Sequence, residues 1–570
     1  MVLDPLLAFG DRAEEMMIAA LTALGTETRL PVELPPEGMG DFAFPCFPLA
    51  RELKKSPAEI AKSIAASLGT DAMFCKIEPS GPYVNFHIEP EELVRVTVES
   101  IMELRENYGN AESSGIKINL EHTSANPNGP LHVGRARNPI IGDTLARILR
   151  RCGHDVTTEF YVDDMGKQQV TLTWGVENLV QEGEIPEKAD HALVWYYQEA
   201  SRRMEQDPKV LAEIDAIISK YEDRDPEIAT RVQTNCQRVL DGMTQSLRRL
   251  DINFDSFAWE SKYIFDGSVE RIIEQLRAME CTSEDNGALY LDLDNFGISG
   301  KENKFFLTRG DGSSLYSTRD MAYHLDKLAN YDRAIDVLGE DHKLKAKVVG
   351  IGVNLLGQEK PVEPVFYSFV SLPEGKMSTR RGRVVYLDDL VEESIALARE
   401  EVEKRRPELD DVLKRGIADA VGIGAIRYNI IRIQAEKQLI FKWEEAMNFE
   451  GNSAPFIQYS HARASSILRK ATEFGDYDLK LLAHPSEVQL AKMLARFPSV
   501  IRTCGTDMAC HPVAAYAFEL AAMFNQFYRD CPVLVAEEKL KNARLAMVTA
   551  SKLVLMNALD TLGIVAPEEL

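Results

Sequence analysis

Turn-forming residues crowd around one histidine and one glycine in SANPNGPLHVGRARNPIIGD, residues 124–143. An imidazole at His132 can donate a hydrogen bond to a phosphoryl oxygen, and Gly134 lets a ligand come close to the backbone. Asn138 and Pro139 read as the cap and first turn of a helix, with Ile140, Ile141, Leu145, Ile148 and Leu149 as its buried face. Arg150 and Arg151 would fill its last turn, and Gly153 would end it. Pro139 bars an undisturbed helix from Val133, so the helix starts near 138 or kinks there. A helix N-terminus beside His132 favours phosphate. Taken alone, the stretch is equally a tight turn with a hydrogen-bonded histidine.

The second chemical stretch is LPEGKMSTRRGRVVYLDDL, residues 372–390, which follows the strand-like VFYSFV. Lys376 and three arginines fall within eight residues of a loop bounded by Gly and Pro. Such a loop is either simply solvated or a clamp on phosphate charge.

Both stretches need a scaffold. IKINLE from residue 116, the helix from about 139 and DVTTEFYV alternate as strand, helix and strand, which predicts a parallel α/β sheet. LHVG lies between such a strand and helix, where open α/β sheets bind nucleotides. Residues 172–250 read as a charged helical insertion, and strand signals return in ALYLDL, KFFLT, AIDVLG and VFYSFV. Beyond about 391 the pattern is almost purely helical, with a break near GNSAP (451–455). In the first 110 residues, SPAEIAKSIAASLG predicts a helix with a Ser56–Glu59 capping box, and GPYVNFHI (81–88) predicts a strand.

The 570 residues are too many for a single core and suggest three or four units. No apolar run is long enough for a membrane span, and the N-terminus lacks a signal-peptide pattern. Eight scattered cysteines without a C-x-x-C pair fit a reducing cytoplasm and argue against structural zinc. The net charge of −24 is uneven: residues 461–570 hold 12 Lys+Arg and 12 Asp+Glu, so the rest carries the deficit. An acidic whole with local basic faces can still dock RNA.

His132-Val133-Gly134-Arg135 and Lys376-Met377-Ser378-Thr379-Arg380, in this order on an α/β background, resemble the HIGH and KMSKS motifs of class I aminoacyl-tRNA synthetases. The flanks EHTSANPNGPLHVG, GSSLYSTRDMAYHLDK and APFIQYSHAR closely resemble the arginyl-tRNA synthetase family. The likeness runs nearly end to end, from GDFAFPCFPLARELKKSPAEIA through FDSFAWES to LAAMFNQFYRDCPVL and GIVAPEEL. Arg135 stands where that family has a second histidine, and Thr379 and Arg380 replace the last two motif residues.

The resemblance implies a multidomain α/β protein: a Rossmann-like parallel-sheet catalytic core over 111–395 with the insertion at about 172–250. It implies an α+β tRNA-elbow-binding domain at 1–110, a helical connector at 396–450 and an all-helical anticodon-binding domain at 451–570. It implies that arginine attacks ATP to give arginyl-adenylate and pyrophosphate, and that the arginyl group then passes to the 2′-hydroxyl of the terminal adenosine of tRNA(Arg). His132, Gly134, Arg135, Lys376, Met377, Ser378 and Arg380 would meet ATP. Of these, His132, Gly134, Arg135, Lys376 and Ser378 would carry the catalysis. Glu121, Ser124, Asn126, His132, Tyr316, Asp320 and His342 would bind arginine, whose planar five-donor cation demands carboxylates. Tyr316 and Asp320, four residues apart, would share a helix face.

Mg²⁺ would enter with ATP, with no protein-bound structural metal. Phe42 and Phe44 would stack on an unpaired base of the tRNA elbow, and Tyr459, His461 and Arg463 would hold an anticodon base. The expected partners are tRNA(Arg), L-arginine and ATP, without DNA or membrane, in a cytoplasmic monomer. Two rivals stay open: another HxGH-type nucleotidyltransferase, and a non-catalytic tRNA-binding paralogue.

Overall fold

The computed structural model of the chain describes residues 2–36, 38–298, 303–371, 385–471 and 475–570. The chain forms two compact units, one of residues 112–447 and 508–511, the other of 1–111, 448–507 and 512–570.

The first unit is built on five parallel strands: β1 (Lys117–Glu121), β2 (Asp155–Val162), β3 (Ser256–Trp259), β4 (Arg333–Gly339) and β5 (Val362–Tyr367). Their order is β5-β4-β1-β2-β3, the doubly wound order in which the chain leaves β1 in one direction and β4 in the other. Four of β1's five residues are buried, as expected for a parallel strand covered on both faces. Helix α1 (Arg137–Arg151) packs against β2 and β4, and α2 (Tyr316–Asn330) and α3 (Lys343–Leu355) pack against each other. ALYLDL and KFFLT lie off this sheet, in a small antiparallel sheet of 282–285, 288–292 and 304–306. The insertion is helical: Lys167–Asn178, Ala189–Gln206, Pro208–Glu222 and Pro226–Arg249.

Helix α1 begins at Arg137, preceded by a 3-10 turn at Val133–Arg135. Pro139 therefore sits in the first turn, where no intrahelical N–H is lost. Asn138 is not the cap. Its side chain faces inward, accepting from the Thr123 N–H at 2.6 Å and donating to the Val337 carbonyl at 2.9 Å.

The second unit holds an antiparallel sheet in the order 42–45, 83–88, 74–80, together with the helices Pro5–Ala23, Pro57–Ser67 and Pro90–Leu104. The capping box on Pro57–Ser67 forms between Ser56 and Glu59, and Ile60 and Ile64 are buried. The same unit includes helices Ala454–Ala471, Pro485–Ala495 and Glu538–Thr561. Tyr108 donates to the Leu494 carbonyl at 3.1 Å, and Asn557 donates to the Arg105 and Tyr108 carbonyls, so early and late parts of the chain close one core. Among the described residues, no helix is long and apolar enough to cross a membrane.

Candidate active site

A cavity of about 480 Å³ opens where the strand order reverses, beyond the C-terminal ends of β1 and β4. Seven residues singled out in the sequence line it: Glu121, Ser124, Asn126, Arg135, Tyr316, Asp320 and His342. His132 and Gly134 are not among its lining residues but sit on the adjoining 3-10 turn. Lys376, Met377, Ser378, Thr379 and Arg380 lie outside the described residues.

The chain leaves β1 through two residues in the left-handed region, Thr123 (φ 71°) and Ser124 (φ 39°). A β-branched residue there is strained and must be held by its surroundings. Asn138 holds the Thr123 N–H. The Ser124 hydroxyl donates to Glu121 Oε1 at 2.9 Å and accepts from the Tyr161 N–H at 3.0 Å. Ser124 thus acts on the carboxylate beside it.

Strand register sets three acids abreast: Asp336 on β4 faces Glu121 on β1, which faces Glu159 on β2. Like charges at such spacing repel unless cations and donors meet them. Helix α2 supplies both. Lys327 Nζ donates to Glu121 Oε2 at 2.7 Å and to Asp336 Oδ1 at 2.6 Å. His324 donates from Nε2 to Asp336 Oδ2 at 2.6 Å and from Nδ1 to the Asp320 carbonyl at 2.7 Å. Both nitrogens of His324 face acceptors, so the ring is an imidazolium. Burial alone would lower its pKa, but Asp336 overrides this and raises it. Burial likewise works against ionised Asp336, yet Lys327 and His324 hold it well below the carboxylate range. Tyr323, Asn119 and Ser256 donate to Glu159 at 2.8, 3.0 and 2.8 Å. Glu121, His324 and Asp336 could together offer metal-ligand atoms, but Lys327 already supplies the cation to both acids.

Beside the cavity, the Gly134 N–H donates to His132 Nδ1 at 3.0 Å. Burial first, then Arg135, lowers the His132 pKa, so the ring is neutral near pH 7. With Nδ1 accepting, the proton lies on Nε2, leaving an N–H to offer a phosphoryl oxygen. The backbone of this stretch pairs with the segment that follows the second motif. Val133 N–H donates to the Val385 carbonyl at 3.0 Å and Leu387 N–H to the Leu131 carbonyl at 2.8 Å. Arg137, fully buried, spreads its guanidinium over the carbonyls of Ser368, Ile433, Gln434 and Lys437 at 2.5–3.1 Å. It ties the start of α1 to two other loops.

Tyr316 and Asp320 share the cavity-facing side of α2, and His324 and Lys327 continue the same stripe at helical spacing. That continuation is the signal by which the last two could have been found. Asp320 is paired with Lys345 of α3 at 2.5 Å. Deeper in, burial first and then Asp163 push Glu260 well above the carboxylate range, with Arg319 at 3.3 Å opposing.

The family model for the class I (R) tRNA synthetase catalytic domain matches residues 97–443, more than half of the chain. The chain belongs to the arginyl-tRNA synthetase family. That family's N-terminal domain model matches 11–88, and the DALR anticodon-binding domain model matches 457–570. The arginine–tRNA ligase of Methanocella arvoryzae is 47% identical over 92% of both chains, and that of Methanothermobacter thermautotrophicus is 44% identical over 98% of both. The solved structure of Thermus thermophilus arginyl-tRNA synthetase aligns at a TM-score of 0.82 with 29% identity, covering 98% of this chain and 100% of that one.

For a member of the arginyl-tRNA synthetase family, the RNA-facing residues matter as much as the cavity, and three expectations fail on burial. Phe42 and Phe44 are 6% and 1% exposed, packed in the apolar core of their unit, with Phe44 edge-on to Phe86. No base can stack on them. His461 is fully buried, and its Nδ1–H donates to the Pro567 carbonyl at 2.9 Å, tying down the C-terminal segment. Tyr459 and Arg463 do reach the surface: Arg463 lies over the Tyr459 ring at 4.8 Å and the Tyr528 ring at 5.6 Å. Tyr528, 40% exposed, joins them from the helix His511–Asp530; it lies in the stretch LAAMFNQFYRDCPVL, where spacing alone does not show which aromatic faces outward beside Arg463.

Proposed function

We propose that the chain is an arginine–tRNA ligase whose chemistry runs at the cavity between β1 and β4. Arginine carboxylate attacks the α-phosphate of ATP, pyrophosphate leaves, and the arginyl group passes from the adenylate to the 3′-terminal adenosine of tRNA(Arg). The observation that carries the reading is the Tyr316–Asp320 pair, an acceptor carboxylate and a ring one turn apart on α2, lining a cavity at the switch point.

In this reading the substrate guanidinium meets Asp320 and the Tyr316 ring, a fork and a face that suit a planar cation. Glu121 and Asn126, which line the same cavity, would meet the rest of arginine, and His342, also in its lining, would meet the adenosine end. The Nε2–H of His132 and the start of α1 serve the α-phosphate, where charge grows in the transition state. Lys376 and Ser378 serve the pyrophosphate, and the pairing of 131–133 with 385–387 supports their service at the same site. Gly134 and Arg135 complete that phosphate side, and Met377 and Arg380 join the ATP contacts by their place in the motif alone.

Magnesium enters as the counter-ion of ATP. The buried acids at the cavity floor are closed on Lys327 and His324 and do not fit a divalent cation. Residues 451–570 take the anticodon, with Tyr459 and Arg463 as its contacts, and the region 1–110 takes the tRNA elbow by side chains other than Phe42 and Phe44. The protein works as a cytoplasmic monomer.

The test is ATP–pyrophosphate exchange with each amino acid in turn, with and without tRNA(Arg). Arginine alone should support exchange. Equal exchange with lysine removes the assignment, because a pocket built on paired acceptors rejects a point charge by leaving them unsatisfied.

A further inference from the structure

The carboxylate assigned to the substrate cation already holds a cation of the protein's own. Lys345, in the first turn of α3, brings Nζ to 2.5 Å from Asp320 Oδ2 and to 4.6 Å from the centre of the Tyr316 ring. Its side chain is 28% exposed and that of Asp320 18%, so water screens the pair only in part. Lys345 lines the same cavity. Burial works against its charge, but Asp320 holds the ammonium protonated and its pKa is raised. An ammonium therefore stands where the carboxylate and the aromatic face together make a cation subsite.

We propose that Lys345 sets the affinity of the pocket as an internal cation that an incoming substrate side chain must displace from Asp320 and Tyr316. The inference rests on the proposal that these two residues receive the arginine side chain. Exchanging one ammonium for another gains no new interaction, and the tethered one holds an effective concentration of roughly millimolar or more. Free lysine or ornithine thus gains little by entering. A guanidinium gains a second hydrogen bond, because its fork engages both carboxylate oxygens where Lys345 engages one, and its plane stacks on the tyrosine ring. The internal lysine lowers the affinity of every incoming cation by one common factor, so the subsite fills at working concentrations only with a side chain whose contacts exceed those of Lys345.

The experiment is calorimetric binding of L-arginine and L-lysine to the full chain and its variants, alongside aminoacylation at saturating tRNA(Arg). Lys345→Met should tighten arginine roughly three- to tenfold by freeing the subsite, and should tighten lysine by the same factor, because both must displace the same internal cation. Lys345→Arg, a stronger internal competitor, should weaken arginine below wild type. A residue that merely supported the fold would make both variants worse. Unchanged or weaker arginine binding in Lys345→Met, or tighter binding in Lys345→Arg, overturns the proposal. Asp320→Asn separates the two ideas: it should abolish arginine binding, and intact binding there overturns the pocket assignment itself.

Discussion

The backbone N–H of Gly134 donates to Nδ1 of His132 across 3.0 Å, and a Cβ at Gly134 would stand 3.1 Å from that same nitrogen. The glycine thus sets the tautomer of the imidazole and also leaves room for the ring. Its φ is unremarkable, so its role is space. Gly134→Ala should tilt the ring and misdirect Nε2–H, slowing adenylate formation roughly 10- to 100-fold, as a misaligned transition-state donor does. Arginine binding, on the other side of the cavity, should hold. Pyrophosphate exchange at saturating tRNA, paired with calorimetry for arginine, checks both halves.

Lys327 is 1% exposed at its side chain and is the cation shared by Glu121 and Asp336. Lys327→Met leaves two buried acids facing one imidazolium and should destabilise the fold by about 3–5 kcal/mol at pH 7. The pH dependence has a definite sign. Lys327 and His324 depress the Asp336 pKa, so the native contribution is present above the ordinary carboxylate value and is lost as pH falls through the depressed one. Without Lys327 the acids prefer to be neutral, so the deficit of the variant should shrink as pH falls from 7 toward 5. Urea denaturation across that range measures it, and a constant deficit contradicts the charge assignment.

What could be read from the residues alone divides along one line: spacing within an element against pairing between elements. Tyr316 and Asp320 could be placed together because four residues in a helix make one turn. The HxG stretch could be put before a helix because Pro139 marks a first turn. The row of Asp336, Glu121 and Glu159 could not be seen, because it depends on the register of strands more than two hundred residues apart in the case of β1 and β4. Burial of a short apolar strand is decided by what packs on each of its faces. Phe42–Pro45 is buried along its whole length, so aromatic residues there say nothing of a surface. Tyr459 and His461, two residues apart on Ala454–Ala471, point to nearly opposite faces, so they cannot both meet one base; packing against the C-terminal segment decides that His461 is the inward one.

His122 should make the catalytic unit acid-labile. Its ring is buried against Phe254 at 4.5 Å between centroids, and a Cβ at Gly142 would stand 2.3 Å from it. Burial lowers its pKa to about 4. The unfolded chain therefore binds this proton near the ordinary histidine value and the folded chain does not, so stability falls as pH drops through that window. The loss between pH 7 and pH 5 should be about 2 kcal/mol from this residue alone. His122→Gln removes the titration and should flatten that slope in denaturant melts. If the slope survives in His122→Gln, the histidine is not its source.

The surface of the helical region offers the last test. Tyr459 and Tyr528 are 39% and 40% exposed, and Arg463, braced by Asn525 at 2.5 Å, lies over both rings. Two aromatic faces joined by a guanidinium form a stacking platform for an unpaired base, worth about 1–3 kcal/mol per base when a ring is removed. Tyr459→Ala and Tyr528→Ala should each weaken tRNA(Arg) binding by that amount. Their double variant should lose less than the sum, because both rings share Arg463. Pyrophosphate exchange run over a range of tRNA(Arg) concentrations adds a second readout. Pyrophosphate exchange in either variant should fall at limiting tRNA and recover when tRNA saturates, whereas Lys376→Ala should stay slow by roughly a hundredfold at any tRNA concentration. A Tyr459→Ala protein that remains defective at saturating tRNA would place the tyrosine in helix packing and remove it from the anticodon site.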